Sequence, residues 1–428
     1  MTVTMTMTTT TTTTSTMTTT DDREGALEAV AESLGRTLVS SSQFHSEATG
    51  EGFTTGHEVE LETPDGTREA HIVYVESRPT TKDRPGVLRL LDETTGESMA
   101  VWLYPGDPRL PALPAAVFPG AATVLLERLG LDATDLAIDV VAYRPGKRAV
   151  VRMTTVAGVL YLKVVRPEAA EKIRARHELW LGAGVPVPGV LASASDGIVA
   201  LDALPGVEAI NLVPEIADGV AFLDALDRLV GRIATVPSET DARSSLIGRL
   251  DWYVRRLADL APESSAALAA TQARIGGLFS RGGIPPRVTV HGDLHLAQIF
   301  VDPQRPTEIV GVLDIDTAGL GDPADDAAAL VAHLLVTADH REKRDESQFA
   351  DSARMLAESS RGRWARPGDT GFAARATAIA ATHLLGHALS GSVSVETAVR
   401  LAAQLLDLHE HESALTTISH ASHSGSGT

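Results

Sequence analysis

Cysteine is absent from the 428 residues, which removes disulfides, zinc-thiolate sites and cysteine nucleophiles from consideration and suits a cytoplasmic protein. Positive charge is in deficit: 37 Lys and Arg face 56 Asp and Glu, a formal net charge of -19. Such a surface repels nucleic acid and anionic membranes over most of its area, so neither is expected as a partner. Any bound phosphate must then be handled locally, by a metal ion or a few placed cations. No apolar run approaches the ~20 residues that a membrane helix needs, which predicts a soluble chain. The first twenty residues, MTVTMTMTTTTTTTSTMTTT, carry neither the basic start nor the apolar core of a signal peptide. They read as a disordered leader over 1–20, and the Ser-, Thr-, His- and Gly-rich stretch 412–428 reads as a disordered tail. The late histidines His409, His411, His420 and His423 read as solvated.

With 43% hydrophobic residues, the chain can build a core in each of two or three units. Leu27, Val30 and Leu34 fall at helical spacing after Asp21 and Asp22, which predicts a capped helix. HEVELET and REAHIVYVE alternate apolar and polar residues around the turn 64–67, and VLRLLDE and SMAVWLY repeat the pattern across Thr94, Thr95 and Gly96. Residues 21–135 are therefore expected to form a small α+β unit, and the proline-punctuated YPGDPRLPALP within it reads as a connecting loop. A second set of strands follows: LAIDVVAY, RAVVRMTTV and GVLYLKVVR, then a polar helix from Pro167 to about Leu181. After the turn GVPVP, the segment VLASASDGIVALDALPG reads as another hairpin. Beyond Asn211 the pattern is helical, apart from a β-like island from Val288 to Asp316.

That island carries the chemistry. Two strand-like runs, Gln298 to Val301 and Ile309 to Leu313, bracket a turn at Asp302 and Pro303, and such a hairpin brings Asp293, Gln298 and Asp314 together. Phosphoryl transfer needs a carboxylate aligned with the acceptor hydroxyl and hard oxygen ligands for Mg. These three residues supply those groups. The alternation His291, Asp293, His295 also fits a metal-ligand pattern, but that reading leaves Lys163, Asp314 and the later GDPADD unexplained.

The pieces occur in a recognisable order: His291-Gly292-Asp293-Leu294-His295, then Leu313-Asp314, then Gly321-Asp322-Pro323-Ala324-Asp325-Asp326. In this the chain resembles the aminoglycoside phosphotransferase and choline kinase superfamily, small-molecule relatives of the protein kinases. The resemblance implies an α+β, bilobal, protein-kinase-like fold: a β-rich nucleotide-binding N-lobe with its hinge over 136–206, a mostly helical C-lobe over 207–411, and an extra N-terminal α+β cap over 21–135. It implies ATP and Mg as cofactors and a small-molecule hydroxyl acceptor. Asp293 becomes the catalytic base, and Gln298 and Asp314 the Mg ligands. Most members have Asn where Gln298 stands; the longer side chain keeps the amide oxygen, and Gln at this place is similar to maltokinases and related sugar kinases.

By the same resemblance, Lys163 on the third strand orients the phosphates and is held by a glutamate on the next helix. An ungapped count lands on Ile173 or Arg174, so Glu171, a turn earlier, is favoured over Glu178, a turn later. The turn holding Gly146, Lys147 and Arg148 takes the place of the phosphate-covering loop. Leu201 and Ala203 stand in the hinge whose backbone meets adenine. His291 is expected to be a buried imidazole supporting the loop, His295 to give loop support or acceptor contact, and Asp316 to cap a turn or face the acceptor. Asp322 and Asp326, at a helix start, fit scaffolding. Asp202 and Glu208 near the hinge read as solvated. His383 and His387 share a helix face and read as core or cleft-lining histidines, because the sequence places no acidic third ligand beside them. A sugar or amino-sugar kinase is the favoured activity; an antibiotic phosphotransferase and a catalytically silent nucleotide-binding module are the alternatives.

Overall fold

The computed structural model describes residues 20–49, 52–79, 86–91, 98–217, 220–366 and 368–424; the expected leader, apart from Thr20, lies outside them. By backbone contacts the chain forms two compact units: residues 1–178 with 189–203, and residues 179–188 with 204–428.

The first unit begins with helix α1 (Thr20–Ser33) and strands β1 (Thr37–Thr49), β2 (Gly52–Glu62), β3 (Arg68–Ser77), β4 (Val87–Leu91) and β5 (Ser98–Leu103). They form an antiparallel sheet in the order β1-β2-β3-β5-β4, with Ala26, Leu27, Val30 and Ala31 of α1 buried against Val59, Leu61, Val73, Val75 and Val101. Strand β1 escaped notice in the sequence because it is an edge strand with a largely polar, solvent-facing side, so it lacks an alternating apolar signal.

Helices α2 (Leu113–Val117) and α3 (Pro119–Arg128) replace part of the expected loop and cap unit boundary. Each has Pro in its first turn, where the missing N–H costs nothing. Their side chains Leu113, Ala116, Leu125 and Leu126, with Leu110 of the preceding connector, are buried in the core of the second sheet. That sheet consists of β6 (Ala137–Arg144), β7 (Arg148–Thr155), β8 (Gly158–Val165), β9 (Val190–Ala194) and β10 (Ile198–Asp202), in the order β6-β7-β8-β10-β9. Helix α4 (Pro167–Gly182) follows β8. Lys163 sits in the central strand, paired across to Val150 on one side and Val199 on the other.

The second unit is mostly helical. It contains β11 (Val207–Glu208), α5 (Val213–Ile216), α6 (Val220–Ala234), α7 (Leu250–Leu260) and α8 (Ser265–Arg281), then the β island. The island is built of β12 (Val288–Val290), β13 (Ile299–Asp302), β14 (Arg305–Val312) and β15 (Gly319–Gly321). Strands β13 and β14 form the expected hairpin and β12 pairs with β15. Helices α9 (Ala324–Glu342), α10 (Ser347–Gly362), α11 (Phe372–Leu389) and α12 (Val395–Ser424) close the unit. Helix α12 carries through residues 412–424, where a tail was expected: its buried stripe of Ala398, Leu401, Ala402, Leu405 and Leu406 starts a helix that Glu412 and Ala414 can prolong. Among the described residues no helix is long and apolar enough to cross a membrane. The α+β class, with a β-rich first unit and a helical second one, is as the sequence implies.

Candidate active site

The loop 291–298 joins β12 to β13 and is fixed from below by a single carboxylate. Asp326, fully buried in the first turn of α9, accepts the backbone N–H groups of His291 (2.8 Å), Gly292 (2.7 Å) and Leu294 (3.4 Å). Burial pushes the Asp326 carboxyl up, while His291 and these amides pull it the other way. The scaffolding role expected of Asp326 is thus a specific one, since it shapes the turn carrying Asp293. Gly292 has φ +83°, and a Cβ there would lie 2.8 Å from Thr317 O. Only glycine fits that approach.

The loop is also tied to both sides of Asp314. His291 Nε2 donates to Leu313 O (2.8 Å), Leu313 N donates to Gln298 O (2.8 Å), and Thr317 Oγ1 donates to His291 O (2.9 Å). His291 is buried, with its ring edge-on to Trp180. Its Nδ1 is buried without a hydrogen-bond partner among the described residues. Asp314 itself has φ +53° and ψ +47°, the left-handed region that a non-glycine residue occupies at a cost of about 1–3 kcal/mol. The backbone bonds at 313 and 317 hold it there. Gln298 Oε1 is buried without a hydrogen-bond partner among the described residues. An unpartnered amide oxygen on a loop whose backbone is bonded at Leu313, one residue before Asp314, offers with that carboxylate the hard oxygens that Mg favours, so these residues fit the metal.

Asp293 has a partner that the sequence did not disclose. Arg243 forks onto it, Nη2 to Oδ1 at 3.2 Å and Nη1 to Oδ2 at 3.3 Å, with both side chains partly exposed. Arg243 N donates to Thr317 O, and its segment lies against β15, where a Cβ on Gly319 would fall 2.5 Å from Ala242 N. The only sequence signal was that close-approach glycine, too general to point at an arginine 76 residues upstream.

Four histidines gather on the same side. His333 of α9 stacks on His295 with ring centroids 4.0 Å apart, and His387 of α11 meets His333 edge-on at 4.6 Å. His383 lies one turn from His387, its ring centroid 6.5 Å from that of His333. Burial holds all four below the ordinary histidine value, His383 down to about 3 and His387 to about 4, with His333 well below. They are uncharged imidazoles at neutral pH. His333 drew no attention in the sequence because it stands inside an apolar helix. Asp316 lies in the 3-10 turn 315–317 after Asp314.

In the first unit, Lys163 is buried at 6% exposure. Glu171 is not its partner: the Glu171 carboxylate lies 72% exposed and is held by Arg174 at 2.5 and 2.9 Å, and Glu178 is held by the same guanidinium. The reason is helical register. The buried positions of α4 are Ala170, Ile173, His177 and Trp180, which turns both glutamates outward. The expected phosphate-covering turn is well formed but already engaged. Gly146 N donates to Asp107 Oδ2 (2.6 Å), Tyr143 OH to the same oxygen (2.8 Å), and Lys147 Nζ to Glu47 (2.7 Å), which also accepts Arg144. Burial pushes the Glu47 carboxyl up, but Lys147 and Arg144 outweigh it and hold it below its usual range. Leu201 is buried in β10, and the division between the units falls just after Ala203, at the expected hinge. Arg148 pairs with Val165 in the sheet, and Asp202 is exposed. Burial raises the Glu208 carboxyl, which makes it less solvated than expected.

The loop thus carries a carboxylate held by a guanidinium, together with an amide and an acid that offer hard oxygen donors, and the class of the protein follows from a family comparison. The profile of the phosphotransferase enzyme family (APH) matches residues 144–367, just over half of the chain, and the chain belongs to that family. The match begins at Arg144, so the first sheet and helices α1 to α3 lie outside it. The macrolide 2'-phosphotransferase MphH of Brachybacterium faecium is a similar solved structure, with 22% identity over 67% of this chain and 97% of that one and a TM-score of 0.41. The aminoglycoside phosphotransferase APH(3'')-Id of Streptomyces rimosus, in complex with ADP and streptomycin, has 21% identity over 62% and 99% at 0.39. A choline/ethanolamine kinase family protein from Mesorhizobium loti has 16% identity over 68% and 92% at 0.45. No curated protein matches the chain.

Proposed function

We propose that this phosphotransferase is an ATP- and Mg-dependent kinase that transfers the γ-phosphate to a hydroxyl of a small acceptor carrying at most one positive charge, a sugar or amino sugar, with Asp293 as base. The carrying observation is the fixation of Asp293: Asp326 fixes its loop through three backbone amides and Arg243 orients its carboxylate. The acceptor hydroxyl gives its proton to an Asp293 oxygen as its own oxygen attacks the γ-phosphorus. The bond to the β,γ-bridging oxygen breaks and ADP leaves. Arg243 keeps the carboxylate aimed, which is a positional contribution. Gln298 Oε1 and Asp314 would hold Mg, which supplies charge neutralisation on the phosphates. Lys163 orients the nucleotide phosphates, with Gly146 and Lys147 in the covering turn and Leu201 and Ala203 at the adenine edge. The nucleotide unit 136–206 and acceptor unit 207–411 are proposed on the same basis.

The reading of a weakly charged acceptor rests on the surroundings of Asp293. The groups about it are uncharged imidazoles and a guanidinium, which suit hydroxyls as hydrogen-bond partners and oppose a polycation. Gln298 in the place of the usual Asn supports the sugar-kinase direction. An ADP-release screen with ATP and Mg over neutral sugars, amino sugars, aminoglycosides, macrolides and choline tests this. Release with a neutral or singly charged sugar is expected. Release with aminoglycosides alone would overturn the acceptor class, and nucleotide binding with no acceptor at all would favour the silent module.

A further inference from the structure

The sequence gives His383 and His387 no acidic third ligand, yet the fold supplies one. Ligand atoms of Asp293, His333 and His383 all lie within 4.8 Å of one another. We propose that these three residues form a binding site for a transition-metal dication of the zinc class, separate in chemistry from the all-oxygen Gln298 and Asp314 set, and that filling it blocks Asp293.

Zinc bonds imidazole nitrogen and carboxylate oxygen at about 2.0–2.2 Å, so tetrahedral ligands stand roughly 3.3–3.6 Å apart. Atoms within 4.8 Å are at most about 1.5 Å outside that spacing, a gap to be closed by Asp293 and His383 moving toward a fixed His333. Two of the ligands are fixed by helices, His333 on α9 and His383 on α11, while the third is on the loop anchored by Asp326. His295 stacks flat on His333, 13° from parallel, and His387 packs against its edge, so the His333 ring is clamped in place. Two nitrogen donors and one oxygen with a fourth position open select zinc, cobalt or nickel over Mg, which prefers oxygen and near-octahedral geometry. Arg243 disfavours any cation nearby, but its fork leaves each Asp293 oxygen further lone pairs for a metal. A metal on Asp293 takes the lone pair that would accept the acceptor's proton. The binding does not depend on Asp293 being the base; the inhibition does.

The test uses the full chain, with the tail histidines His409, His411, His420 and His423 changed to Gln to remove competing sites. Zn is titrated by calorimetry in excess Mg, and Co is read by its visible absorption. One equivalent of Zn and an intense tetrahedral Co band are expected, with binding weakened at least tenfold in both His333→Gln and His383→Gln. ADP release should fall as Zn fills the site and return on chelation. No stoichiometric binding, or binding equally tight in both variants, overturns the site. Binding that is lost in both variants while Zn leaves ADP release unchanged keeps the site and overturns the block on Asp293. Circular dichroism confirms that each variant is folded; Asp293→Asn, which replaces one carboxylate oxygen by an amide nitrogen, stands in for any that is not, and Zn bound as tightly by it as by the parent chain likewise overturns the site.

Discussion

Asp326→Ala isolates the structural support of the catalytic loop. The substitution strands three buried N–H groups, of His291, Gly292 and Leu294, at 2.8, 2.7 and 3.4 Å from the lost oxygens. An unsatisfied buried donor costs about 1–3 kcal/mol. Two short bonds counted in full and the long one at the lower end give roughly 3–7 kcal/mol before relaxation. The native carboxylate is itself costly to bury, as its raised pKa shows, and losing it returns part of that cost, leaving about 2–4 kcal/mol net. Asp326→Asn keeps an acceptor for Gly292 and Leu294 but points an amide N–H at His291 N–H, a loss of about 1–3 kcal/mol. Urea denaturation at constant m-value measures both. Because the anchored turn carries Asp293, kcat for ADP release should fall at least tenfold in either variant while KM for ATP moves far less. An Asp326→Ala protein within about 0.5 kcal/mol of wild type and with unchanged kcat would refute the reasoning.

Asp293→Ala should lower kcat by about 10²- to 10⁴-fold with nucleotide affinity kept, as measured by ADP release and by titration with ATP. Arg243→Met should lower kcat about tenfold or more while KM for ATP moves far less, since Asp293 loses the guanidinium that orients it; an unchanged kcat counts against the pairing. Arg375, fully buried between Asp322 and Asp369, should cost about 3–5 kcal/mol when changed to Met, because two carboxylates are left without their cation. Denaturation with and without that change reads it directly. For pH, His383 and His387 have folded values near 3 and 4, below the unfolded value of 6.5, so their contribution is present above 6.5 and lost as pH falls toward 4. Asp325 acts in the opposite sense: raised to about 7 chiefly by burial, it favours the folded state most below about 4 and loses that effect as pH rises to 7. His387→Gln should therefore flatten the fall of Tm between pH 6.5 and 5, and Asp325→Asn should gain in Tm relative to wild type as pH rises from about 4 to 7.

The elements with strong periodicity were readable from the chain. Both hairpins of the first sheet, the three strands leading to Lys163 and the β13–β14 hairpin all appear at or near their expected places, because alternation and turn residues are local signals. Strand β1 and helices α2 and α3 were not, since an edge strand with a polar face and short helices between prolines carry little periodicity. In the site, the loop residues fell together because a hairpin fixes them. Glu171 was lost to a register that only the buried stripe 170, 173, 177 and 180 reveals. Arg243 and His333 lie far from the loop in sequence, and contacts of that range leave no local pattern to read.

The turn at Gly146 bears on how this chain differs from a shorter relative built only of residues 144–367. Its shape depends on residues that come before the family span: Asp107 takes the Gly146 amide, Glu47 takes Lys147, and Arg109, paired with Glu76, packs where a Gly146 side chain would go. These contacts order the turn when the protein folds, so the entropy of fixing it is not set against binding. Glu47 also occupies Lys147 as an anionic placeholder. For the phosphate cover proposed here, an incoming phosphate exchanges one anion for another on that ammonium, so the gain at Lys147 is smaller than the gain from a bare cation, and the selectivity for phosphate over other anions must come from the groups beyond the turn.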